Sequence, residues 1–117
     1  MRALPVQHPF AELILRGLKT VEYRGRPTNI RERVFLYATK NTPDPEEAAA
    51  WVREEYGIDL DVANLPRGVL VGTVEIVGCR PSKRKGVFEW LLARPERLPK
   101  PQPPKRMPCS GGFFNPF

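Results

Sequence analysis

The chain has 117 residues, 41% of them hydrophobic, and a formal net charge of +6. That suffices for one domain with a real core and is too short for two, and no apolar run reaches the 18 residues that would span a membrane. Two cysteines, Cys79 and Cys109, exclude a multi-bridge framework and read most simply as thiols; the absence of a signal-like N-terminal segment then gives an expected cytoplasmic address.

Residues 2–6 read as an opening strand. Gln7-His8-Pro9 starts a helix, with Pro9 suited to the first helical position because its missing N–H is not needed there. His8 is expected as a partly exposed polar residue at that start, with a catalytic or base-contacting role as the alternative. Phe10, Leu13, Ile14 and Gly17 recur at helical spacing, and Gly17 suits the left-handed position that ends a helix. Behind it, residues 19–24 form the next predicted strand. Alternation puts Thr20, Glu22 and Arg24 on one face, which would line a cleft, and sends Val21 and Tyr23 to the core. Residues 25–33 read as a basic loop.

Residues 33–40 are a strand, apolar on both faces until its end. Thr42-Pro43-Asp44-Pro45 opens a second helix over 45–56, with Glu46 and Glu47 near its positive N-terminal dipole and Gly57 ending it. A turn at 66–68 leads into the most hydrophobic strand, 69–79. Residues 87–92 form another strand or a helical turn, and the proline-rich 98–104 stretch is extended at an edge or rim. The tail from Ser110 holds Phe113, Phe114 and Phe117 and is expected to dock on the domain. About five short strands with two or three flanking helices predict one α+β, mainly β domain over 1–117, built as a small, mostly antiparallel β-barrel.

The charge is unevenly spread. Residues 44–61 hold seven acidic residues against Arg53 alone, a local charge of −6, so the remainder carries 18 basic and 6 acidic residues, or +12. Nine basic residues fall within 80–106 against Glu89 and Glu96. Such polarity suits a polyanionic partner, most often nucleic acid, or is a solvated surface on an arginine-rich chain. Fourteen prolines, and thirteen arginines against six lysines, also fit a heat-adapted source.

One histidine and no paired cysteine spacing argue against a metal site, no phosphate-cradling glycine loop occurs, and no serine sits in a nucleophile elbow. No cofactor is expected. Lys19 reads as a solvated charge, a phosphate ligand or a desolvated base. Glu22 and Arg24 read as a cross-face pair, or as readers of a base edge and a phosphate. Glu75 shares a strand face with Val69, Val71, Thr73 and Val77 and needs a partner, for which Arg24 or Lys19 would serve; it is then a buried ion-paired group or an active-site carboxylate.

The stretch from Ala3-Leu4-Pro5 to Pro9-Phe10-Ala11, followed by Gly17-Leu18-Lys19-Thr20-Val21-Glu22-Tyr23-Arg24, resembles the ASCH domain family of PUA-like β-barrels. Further matches follow in order at 33–40, 65–75 and 89–98, and Gly111-Gly112-Phe113-Phe114-Asn115 resembles the family's closing element. The resemblance implies a curved barrel with a cleft between the first helix and the Lys19 strand, and kinship with RNA-related modules. It also extends to coactivator domains, a ribonuclease and amidohydrolases of N4-acylated cytidine. Lys19 matches the lysine of those amidohydrolases and Thr20 the next residue, but their nucleophilic threonine falls at Glu22, which cannot act as a hydroxyl nucleophile.

The expected function is RNA or nucleotide binding in that cleft. Lys19, Arg24 and Lys40 would meet phosphate, Thr20 and Glu22 would bond a base or sugar, Tyr23 or Phe113 would stack, and Arg26 is a further RNA-binding candidate. The alternative is a small hydrolase, an N4-acylcytidine amidohydrolase or a ribonuclease, using Lys19 with Glu22 or Glu75. A protein partner on the acidic 45–61 segment is a third reading, and that segment is expected to point away from RNA.

Overall fold

The computed structural model describes residues 1–109 and 111–117; Ser110, first residue of the predicted tail, lies outside them. In chain order the elements are β1 (Ala3–Val6), α1 (Phe10–Leu15), β2 (Val21–Arg24), β3 (Arg33–Ala38) and α2 (Pro45–Tyr56). A 3₁₀ turn at Val62–Asn64 precedes β4 (Val69–Pro81) and β5 (Phe88–Gln102). The strands make one sheet in the order β1-β3-β4-β5-β2. β1 runs parallel to β3, and the other pairs are antiparallel. The mainly β class expected from the sequence is what forms, with helices flanking the sheet.

The barrel does not close. β1 and β2 are the two sheet edges, and among the described residues no ladder joins them. Each is four residues long, and Pro5 in the middle of β1 has no N–H to give to a partner strand. The seam is bridged instead by the Arg24 guanidinium, which donates to the Pro5 carbonyl.

Pro99 and Pro101 do not end β5, which runs on to Gln102 and stops before Pro103 and Pro104. β2 pairs only with Leu91 back to Phe88, so beyond that point β5 has a ladder neighbour on the β4 side alone. Pro95, Pro99 and Pro101 therefore sit in strand with one open edge, where a missing N–H is tolerated. Register shifts against β4 and the positive φ of Arg94 (52°) absorb the bending.

α1 is six residues long and almost wholly buried. Ala11, Ile14 and Leu15 join the main core with Leu4, Val34, Leu36, Val74 and Ile76. Leu13 turns to a second cluster with Ala48, Val52, Leu60 and Val62, which docks α2. The close approach of α1 to β4 needs Gly72: a Cβ there would lie 2.4 Å from Leu15 Cδ2 and 2.5 Å from the Glu96 carbonyl oxygen. α2 itself matches its predicted bounds, capped by Asp44, whose carboxylate accepts from the Glu46 N–H at 2.9 Å, and ended by left-handed Gly57.

Candidate nucleic-acid interface

α1 ends in a tight reversal at Gly17, where the Leu13 carbonyl accepts from the N–H of both Leu18 and Lys19. This brings Lys19 back beside Phe10 at the start of the same helix, just before β2 begins. Lys19 Nζ lies 5.5 Å from the centre of the Phe10 ring and 5.1 Å from that of Tyr23. It donates to the Val21 carbonyl at 2.5 Å and stands 3.9 Å from Glu22 Oε1. The two side chains are only 12% and 11% exposed. Burial lowers the Lys19 pKa from its ordinary value, and the Glu22 charge opposes that shift without cancelling it.

Glu22 is shared. Its Oε2 accepts from Arg24 Nε at 3.1 Å, while the same guanidinium donates to Gly111 O at 2.8 Å and to Pro5 O. Arg24 also lies 5.6 Å from the centre of the Trp90 ring. These groups form the base of a cavity of about 530 Å3 between α1 and β2. Gln7, Thr39 and Asn41 add polar groups at its rim, and Phe10 and Tyr23 add aromatic walls. Among the described residues the side-chain amides of Gln7 and Asn41 have no hydrogen-bond partner, so both are open to a ligand.

Glu22 and Arg24 both line this cavity, and Tyr23, expected in the core, lines it as well. Glu22 is buried and Tyr23 is 55% exposed, so Tyr23 is a wall of the cleft and not a core residue. Thr20 is exposed, precedes β2, and lines a different cavity with Ile14 and Leu92. Arg26 is exposed and borders a cavity beside Arg24 and Trp90. Phe113 stacks on Trp90 at 5.5 Å instead of lining the cleft, and Lys40 is exposed next to the rim residues Thr39 and Asn41.

Glu75 is a clear correction. Its partners are Arg94 at 2.6 Å and Arg33 at 3.3 Å on the neighbouring strands, not Arg24 or Lys19, and it does not line the cleft. The hydrogen bond from Arg94 is the main reason its carboxyl titrates below the usual value. Register explains this: Arg33 lies directly opposite Glu75 on β3. Trp51 of α2 meets the cleft wall at Phe10, ring centres 5.6 Å apart. α2 flanks the cleft.

Two buried polar groups escaped the sequence reading. Glu12 is held by a two-pronged bond from Arg97 (2.9 and 2.8 Å) and by Arg16 at 2.7 Å. Burial raises the Glu12 pKa, and the two arginines outweigh it and hold the carboxyl below its ordinary value. His8 is 1% exposed, not a partly exposed helix start. Phe10 stood out only by its helical spacing and its place in the family motif; an aromatic that opens a helix whose end returns a lysine was the available signal for a cleft wall. Gln7 and Asn41 carry no pattern that separates them from other surface amides.

No helix among the described residues is long and apolar enough to cross a membrane. Nor do those residues contain a group of three or more potential metal ligands.

The ASCH domain family model matches residues 4–97, most of the chain. This chain belongs to the ASCH domain family. The ASCH domain is 36% identical over 85 residues to human Activating signal cointegrator 1, covering 69% of this chain and 15% of that protein. The mouse protein of the same name is 35% identical over a stretch of the same length and coverage, so the chain spans about one-seventh of these relatives. The fold also matches the crystal structure of ASCH from Zymomonas mobilis, at a TM-score of 0.55 and 16% identity, over 87% of this chain and 72% of that one. A point mutant of the Zymomonas protein gives a TM-score of 0.61 at 14% identity, covering 97% and 85%.

Proposed function

We propose that this ASCH domain binds RNA, or a nucleotide-like ligand, in the cleft between α1 and β2. The observation that carries the reading is the setting of Lys19: an ammonium between the Phe10 and Tyr23 rings in a cavity rimmed by unpaired amides. A cavity of about 530 Å3 is large enough for a nucleoside. Its walls offer stacking, its rim offers amide donors and acceptors for a base edge, and Lys19 offers charge to a phosphate. Arg24 has a different role from the one its sequence position suggested. Three of its five donors are held by Glu22, Pro5 and Gly111, so it shapes the base of the cleft, and exposed Lys40 beside the rim is the freer phosphate ligand.

A hydrolase is the second reading, favoured by the same lysine: Lys19, its pKa lowered, stands 3.9 Å from Glu22 and the pair could share a proton with a water. Glu75 takes no part in that version. Anisotropy titration of a labelled single-stranded RNA across salt, followed by a gel of the recovered RNA, separates the two. Binding that weakens with salt, RNA that stays intact, and an affinity about tenfold lower for Lys19→Ala are the expected results. Cleaved RNA would move the hydrolase to first place, and affinity indifferent to Lys19→Ala would remove the cleft from the account.

A further inference from the structure

Tyr23 borders two cavities. On one side is the cleft with Lys19; on the other is a cavity of about 550 Å3 walled by the turn between β4 and β5, through Ser82, Lys83, Arg84, Val87 and Glu89. Neither Lys83, Arg84 nor Lys85 forms an ion pair or side-chain hydrogen bond among the described residues. The one carboxylate in the second cavity, Glu89, is already held by Arg80 at 2.6 Å. Three adjacent positive charges are therefore exposed without compensation, and two of them, Lys83 and Arg84, share this cavity with the exposed Tyr23 ring.

The turn is ordered before anything binds. Ser82 N–H donates to Val87 O at 2.9 Å and Val87 N–H to Arg84 O at 3.1 Å. Ser82 Oγ donates to Arg84 O and accepts from Arg84 N–H, at 3.0 and 3.1 Å. Left-handed Gly86 completes the reversal. A charged loop held this way loses little backbone entropy on binding a polyanion.

Behind the opposite wall, at Phe10, lies a segment of reverse charge. Phe10 meets Trp51 of α2, a helix whose Glu46, Glu47, Glu54 and Glu55 are exposed and have no cationic partner among the described residues. A phosphodiester chain leaving the cleft is repelled on the α2 side and attracted on the Tyr23 side.

We infer that the cavity between Tyr23 and the β4–β5 turn is a second subsite, which holds the sugar-phosphate next to a nucleotide in the cleft. The ligand is then a single-stranded RNA oligonucleotide, not a free nucleoside, and it crosses the cleft from Lys19 over Tyr23 to residues 83–85. This rests on the RNA-binding reading of the cleft.

The test compares the wild type, Lys19→Ala, the triple variant Lys83→Ala/Arg84→Ala/Lys85→Ala and a control triple variant Lys100→Ala/Lys105→Ala/Arg106→Ala. The control removes equal charge from residues that line neither cavity. Probes are an eight-nucleotide single-stranded RNA by anisotropy and uridine 5′-monophosphate by NMR titration; thermal unfolding checks that each variant folds. The 83–85 variant should lose oligonucleotide affinity at least about tenfold at 0.1 M salt, and its log–log salt slope should shrink by about two. It should bind the mononucleotide as the wild type does, while Lys19→Ala weakens both probes. Wild-type oligonucleotide affinity in the 83–85 variant, or an equal loss in the control, overturns the second subsite and leaves the cleft reading intact. A Lys19→Ala protein that binds the oligonucleotide normally, or a wild type that binds no RNA, overturns the cleft reading and the subsite with it.

Discussion

His8 is the only histidine in the chain, and its ring is sealed between α1 and the segment leading into β4. Its Nε2 lies 2.9 Å from the Pro66 carbonyl, which can only accept, so Nε2 carries the hydrogen and the buried Nδ1 is bare. Burial lowers the His8 pKa, the Pro66 bond and the Glu12 charge oppose this, and the positive charges of Arg67 and Arg97 add to it. The unfolded chain then binds more protons than the folded one between the folded pKa and 6.5, so stability rises with pH across that window. Unfolding free energy should fall as pH drops below about 6.5, by at most about 1.4 kcal/mol per pH unit. His8→Gln keeps a donor for Pro66 and should abolish the slope between pH 5 and 6.5, above the range where Glu12 titrates. Urea titrations at stepped pH measure this, and an unchanged slope in the variant would assign it elsewhere. None of it was legible locally, because the carbonyl that bonds His8 lies 58 positions away. Tyr23 shows the same limit: a period of two sorts side chains onto faces, and only the rest of the fold decides which face is covered.

Elements were legible where their signals are local. α2 was readable to the residue because a capping aspartate, a first-turn proline and a closing glycine are all within its own sequence. β5 was not, since three prolines argue against a 15-residue strand unless one edge is known to lack a partner. The importance of Gly72 was also hidden, because what it accommodates is a helix nearly sixty residues earlier. Gly72→Ala would drive a methyl group into both Leu15 and the β5 backbone, and backbone cannot yield as a side-chain tip can. It should destabilise the protein by about 2–3 kcal/mol, read as a lower urea midpoint. Because α1 also carries Phe10, the same substitution should weaken ligand binding at the cleft; full stability in Gly72→Ala would mean that α1 can shift at no cost.

Across the whole molecule, the charge separation counted in the sequence becomes a gradient over one cleft, acidic behind Phe10 and basic beyond Tyr23. The count was available from composition, but its direction needed the packing of Trp51 on Phe10. The seam between β1 and β2 is the other property of the whole. An open sheet exposes rows of backbone donors and acceptors on its outermost strands, and a neighbouring chain can pair with them. Here β1 is fully buried, Ala3 exchanges hydrogen bonds with Phe114 at 2.8 and 3.0 Å, Pro5 has no donor, and its acceptor is taken by Arg24. The arginine at the base of the cleft thus also occupies an acceptor on the sheet edge. Arg24→Met, which leaves Glu22 with Lys19 alone, should cost about 2–3 kcal/mol in urea unfolding. Light scattering should show it associating with rising concentration while the wild type keeps a constant mass, which would make resistance to edge-to-edge aggregation part of what selects an arginine at this position.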